Sequence, residues 1–230
     1  YDISACLVGS EMCIRDSTWK AGAACAFLIY LGYTTNAAGL MTLQSSESGF
    51  LTALYVPITP LLVWVVFGKA PTKGAVFGVM MAFAGLVLLA NPFTLSFSNN
   101  WGEWVTILSA LISAVEIMVV GRVAPGTQAR QLAFTQLFFT AVFAAVGLAV
   151  ATAAGVPLKE TTFNTTVVGG ILWLAVIVAC VQVLLSWAQR YVPASRAAVI
   201  FAMESVFAAI IGWFAGESLG TAGIIGGVLI

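Results

Sequence analysis

Apolar stretches long enough to cross a bilayer recur at residues 20–42, 47–67, 73–90, 103–121, 131–153, 166–188 and 195–215, with only short polar breaks between them. A hydrocarbon layer about 30 Å thick takes about 20 apolar residues per helical crossing. The pattern therefore predicts seven transmembrane helices, with residues 221–230 starting an eighth. Backbone N–H and C=O groups in lipid must find partners inside the protein, so spanning segments of this length are helices. The predicted fold class is an all-α integral membrane protein, a polytopic helical bundle. Turn and stop residues mark the breaks: Gly68-Lys69-Ala70-Pro71, Asn91-Pro92 with Asn99-Asn100, Pro125-Gly126, Gly155-Val156-Pro157 and Gly216-Glu217.

Composition excludes the soluble alternative. The chain is 61% hydrophobic and 8% charged, against about 45–50% and about 25% for soluble domains. Net charge is zero and no basic run occurs, which leaves no electrostatic footprint for nucleic acid. The expected partners are a small-molecule solute and the lipid bilayer. Histidine is absent, removing the commonest general base and the commonest metal ligand together, so no catalytic residue, metal or cofactor is expected. No glycine-rich turn leads into Lys and Ser or Thr, which argues against nucleotide-driven work by this chain alone. Cys25 and Cys180 stand singly in apolar stretches and read as small buried hydrophobes.

The opening segment, residues 1–17, contains CLVGSEMCIRDS. It is similar to a translated sequencing adapter and reads as a non-native or disordered segment; the alternative is a genuine polar tail. The chain starts at Tyr1 and stops at Ile230, ten residues into an apolar segment. It is therefore expected to be a fragment with seven full transmembrane helices and part of an eighth.

Loop charges give a separate test of the span count. Lys20, Lys69, Lys73, Arg122, Arg130, Arg190 and Arg196 all fall on one side of the predicted membrane. The other side carries Lys159 with Glu47, Glu103, Glu160 and Glu217. Cytoplasmic loops carry the Lys/Arg excess, so Lys20 and the start of the first helix are expected in the cytoplasm, with the protein in a bacterial inner (plasma) membrane. A shift of 148 residues lays Gly68-Lys69 on Gly216-Glu217 and Gly78 on Gly226. It matches the second span to the seventh, an odd offset that inverts orientation, as in transporters built from inverted repeats. Chance alignment of glycine-rich helices explains the repeat equally well.

Several strings resemble those of EamA-type members of the drug/metabolite transporter superfamily. They are Leu31-Gly32-Tyr33, the run from Ser45 to Tyr55 with Pro60, Gly102-Glu103-Trp104, Ser113 to Glu116 with Gly121-Arg122, Ser186 to Ala198, and Ala202 to Ala209. The resemblance covers the chain from Thr18 onward. It implies two inverted five-helix repeats: residues 18–91 as the remainder of the first (helices three to five) and 101–230 as the second (helices six to ten, the last truncated), without the first two helices. One departure stands out. Where that family usually reads Glu-Pro-Val, this chain has Glu204-Ser205-Val206, so a proline kink is missing there.

Ionisable groups at membrane depth are expensive, and Glu116 and Glu204 are the clear cases. They are candidates for substrate binding or proton coupling; the competing reading is a neutral, hydrogen-bonded Glu that fixes packing. Gln182, Ser186 and Gln189 share one helical face, Ser109, Ser113 and Glu116 another, and Thr52, Tyr55 and Thr59 a third. Tyr33 and Asn36, with Tyr30, join them as candidates, and interhelical glue is the alternative for any of them. Pro57 and Pro60 are kink or gating candidates. Gly169-Gly170 and Gly226-Gly227 are expected at close helix contacts. Together these features predict a secondary transporter moving a small metabolite, amino acid or drug-like solute by alternating access. A non-transporting scaffold or subunit and, more remotely, an intramembrane enzyme are the competing classes.

Overall fold

A computed structural model of the protein describes residues 3–43, 45–68, 70–90, 100–156, 164–214 and 221–230, and side chains from Thr18 onward within these ranges apart from 45–46, 90, 212–213 and 221–222. The expectations placed on Lys69, Asn91, Pro92, Asn99, Pro157, Lys159, Glu160, Gly216 and Glu217 lie outside the described residues. The described elements are helical: α1 (Ile3–Gly39), α2 (Ser45–Thr52), α3 (Tyr55–Phe67), α4 (Lys73–Ala90), α5 (Trp101–Val123), a 3-10 turn at Ala124–Gly126, α6 (Ala129–Ala153), α7 (Thr165–Ala188), α8 (Ala194–Phe214) and α9 (Thr221–Leu229).

Five stretches among the described residues are long and apolar enough to cross a membrane: Glu47–Phe67, Trp101–Gly126, Ala129–Ala153, Thr165–Ala188 and Ala194–Ile211. The apolar stretch of α4, Lys73–Leu89, is shorter, and the expected first span at 20–42 falls largely within α1. Local chemistry explains some of the helix ends. The chain leaves α3 through Gly68 at φ +65, whose N–H bonds Trp64 O at 2.8 Å, a left-handed cap that suits glycine. Asn164 caps α7 by accepting from Val167 N–H at 2.8 Å. The span Glu47–Phe67 is interrupted between α2 and α3, just before two prolines. Pro57 has no N–H to give Ala53 O, and that carbonyl instead takes the Val56 N–H at 3.0 Å. Pro60 sits inside α3.

The chain divides into two compact units, residues 1–30 with 123–191 and residues 31–122 with 192–230. In the first, aromatic rings lock α1 to α6. Trp19 meets Phe139 edge-on at 5.6 Å, and Phe27 meets Phe143 at 5.6 Å. Across α7, Ile171, Leu172, Trp173 and Leu174 are exposed, as suits a helix whose neighbour is lipid. Cys180 is exposed there too, contrary to expectation, whereas Cys25 is buried.

In the second unit, α3, α4 and α8 enclose a small apolar cluster of Ala53, Val56, Ala82, Leu86 and Ala202, with Ile230 packed against it. Here backbones come unusually close. A Cβ on Gly85 would stand 2.6 Å from Gly226 O, and one on Gly226 would stand 2.6 Å from Leu89 N. With little hydrophobic force between helices in lipid, such van der Waals contact is the main cohesive term. The expectation for Gly226 is met; Gly169 and Gly170 have open space around them, because they lie on the outward run of α7.

Candidate functional site

A recess of about 370 Å³ opens within the second unit. Four elements build its polar wall: α1 supplies Asn36, α2 supplies Ser48 and Thr52, Tyr55 starts α3, and α8 supplies Glu204 and Ser205. Leu40, Gly49, Ala53 and Ala208 complete it. The α2–α3 interruption matters here, because Ala53 at the break lines the recess and Tyr55 follows directly.

Hydrogen bonds order this wall. Asn36 Nδ2 donates to Thr52 Oγ1 at 2.8 Å, and Thr52 Oγ1 donates in turn to Ser48 O at 2.8 Å. The Thr52 hydroxyl is thus held by its own helix while its lone pair orients the Asn36 amide. Tyr33, one helical turn before Asn36, is exposed, and neither it nor Glu116 is among the residues that line the recess. Glu116 is half-buried on α5. A carboxyl group, a phenol and an amide thus line one recess from helices far apart in the chain, which suits a solute bearing a cationic or donor-rich group.

The other polar stripes serve differently. Ser109 Oγ donates to Gly32 O at 3.1 Å and so ties α5 to α1. Thr59 Oγ1 bonds Tyr55 O at 2.7 Å within its own helix. Pro60 is buried and Pro57 half-buried; neither lines the recess, but both follow closely on the break that shapes it.

In the first unit, Gln182 and Ser186 meet on a residue that sequence reasoning missed. Gln182 Nε2 donates to Gln136 Oε1 at 3.0 Å, and Ser186 Oγ donates to the same oxygen at 3.2 Å. Gln136 is fully buried on α6. It stands in the apolar run Leu132–Phe139, and the cost of a polar side chain at that depth was the available signal. Gln189 caps α7 and is also buried. Gln136 Nε2 and Gln189 Oε1 are buried without a hydrogen-bond partner.

Several apolar helices of crossing length define an integral multi-pass membrane protein. The sequence profile of the EamA-like transporter family matches residues 100–230, and the chain belongs to that family. It is 31% identical over 192 residues to an uncharacterized transporter of Archaeoglobus fulgidus, an alignment covering 83% of this chain and 59% of the relative. The chain thus spans well under two thirds of that relative's length. A crystal structure of a protein at 16% identity superposes with a TM-score of 0.69, over 94% of this chain and 84% of the other. At that identity the likeness speaks to fold alone.

Proposed function

We propose that the protein is a secondary transporter that moves a small metabolite, amino acid or drug-like solute by alternating access. The observation that carries this reading is the recess where Glu204, Asn36 and Tyr55 meet. A carboxylate beside amide and phenol groups recognises a protonated amine, and the same carboxyl takes up a proton when the solute leaves. Glu116, half-buried on α5, is the second coupling group.

The inverted-repeat arrangement belongs to the same proposal, with seven full helices and the first entering from the cytoplasm. It is supported by helix starts that the 148-residue shift superposes: Lys73 of α4 on Thr221 of α9, and Ser45 of α2 within one residue of Ala194 of α8. The cytoplasmic placement in an inner membrane rests on Lys20 and the other basic loop residues. Pro57 and Pro60 follow a hinge at Ala53–Leu54 whose closure changes access to the recess.

The test is solute flux by the full-length protein in proteoliposomes, across a panel of amines, amino acids and neutral metabolites, with and without a proton gradient. Expected is gradient-dependent flux of an amine-bearing solute that collapses in Glu204→Gln and falls in Glu116→Gln. Folded parent protein that moves nothing across the panel, or variants that transport as the parent does, would overturn the reading.

A further inference from the structure

A second concavity lies in the first unit, where the start of α6 meets the end of α7. Its volume is about 450 Å³, and Gln128, Arg130, Val183, Leu184, Trp187 and Arg190 dominate its lining. The two arginines sit just inside α6 and just beyond α7, at the ends of two candidate membrane spans. No ion pair holds either one among the described residues; Arg190 lies over the Tyr191 ring at 6.0 Å. Between them, α6 starts without a side-chain cap from Gln128 and without an acidic residue in its first turn. A cation in that position opposes the helix dipole, so Arg130 and the uncapped N–H groups favour an anion at the same point.

The rest of the concavity does not suit a soluble anion. Val183, Leu184 and Trp187 extend from Arg190 toward the membrane interior along α7, and Leu184 and Trp187 are largely exposed. A phosphodiester at the arginines and an acyl chain along this wall fill both halves. We infer that this groove is a binding site for an anionic phospholipid, its headgroup held by Arg130 and Arg190 and its chain lying against Trp187 and Leu184. Charge complementarity selects the anionic lipid over a zwitterionic one, because a choline or ethanolamine cation would meet two unpaired guanidinium groups. Arginine suits this role through its planar, multi-donor fork.

Tryptophan quenching tests the site. The purified full-length protein is placed in phosphatidylcholine nanodiscs containing either phosphatidylglycerol or phosphatidylcholine with brominated chains, and the Trp187 contribution is isolated by subtracting Trp187→Phe. Half-maximal quenching of Trp187 is expected at roughly tenfold lower phosphatidylglycerol than phosphatidylcholine, at low salt. The double variant Arg130→Gln/Arg190→Gln should lose this preference, and Arg130→Lys/Arg190→Lys should keep most of it. Equal quenching by both lipids overturns the inference, and that comparison needs no variant to fold. Complete relief by millimolar inorganic phosphate would make it a free-anion site and overturn the lipid assignment. So would absence of Trp187 quenching by either lipid, which would mean that another part of the full-length chain covers the groove.

Discussion

The two units meet the same solvent with different means of cohesion. In the first, bulky side chains interlock: Trp19, Phe27, Phe139 and Phe143 meet edge to face, and one glutamine gathers two donors from the neighbouring helix. In the second, side chains are removed where helices cross, as at Gly85 and Gly226, and polar groups surround an open recess instead of a closed knot. The charged chemistry follows the same division. Glu116 and Glu204 lie in the second unit, while the hydrogen-bonded polar cluster of the first is made of neutral amides and a hydroxyl. Both units keep a concavity, but the lining differs: a carboxyl group, a phenol and an amide in the second, two arginines and an apolar wall in the first.

The largest effect that would sharpen this contrast is expected at Gly85→Leu. Its Cβ meets backbone atoms of α9 that cannot move aside, and overpacking of this kind costs about 3 kcal/mol or more. Thermal unfolding in mild detergent should show a large drop, while Gly169→Leu, placed in open space, should stay within about 0.5 kcal/mol of the parent. Similar losses at both positions would erase the distinction.

Next in size is Glu204→Gln, a near-isosteric change at the recess. Flux of an amine-bearing solute by the full-length protein should fall at least tenfold, about 1.4 kcal/mol, with an unchanged unfolding midpoint. Loss of folding instead of flux would move Glu204 from the solute to the packing.

Gln136→Leu should act in the opposite way, costing about 1–2 kcal/mol of stability by stranding Gln182 Nε2 and Ser186 Oγ. The smallest shift belongs to Ser109→Ala, which removes one bond to Gly32 O and should cost about 0.6 kcal/mol. An unfolding titration that ranks Ser109→Ala above Gln136→Leu would show that the glutamine cluster is not what holds α6 to α7.

Much of this protein was legible in its sequence. The apolar segments coincide with helices to within a few residues from 47 onward, because spanning length and internal hydrogen bonding are properties of each segment by itself. The proline pair likewise announced an irregularity in the span 47–67, though the break falls at Ala53–Leu54, upstream of both rings, where Pro57 withholds its N–H. Burial of Cys180 was misjudged for a related reason. In lipid an apolar helix is stable with its small side chains facing outward, so apolarity does not indicate the interior.

Helical periodicity identified which polar residues share a face of one helix, as with Gln182, Ser186 and Gln189. It could not say which faces meet. That Asn36 of α1 reaches Thr52 of α2, that Glu204 of α8 opens onto the same recess, and that Gln136 receives the α7 stripe were decided by tertiary packing alone. The sequence by itself determined a membrane-spanning helical chain, since the bilayer constrains every segment locally. Which polar groups act together depends on contacts between helices, where close packing and interhelical hydrogen bonds, not hydrophobicity, choose the partners.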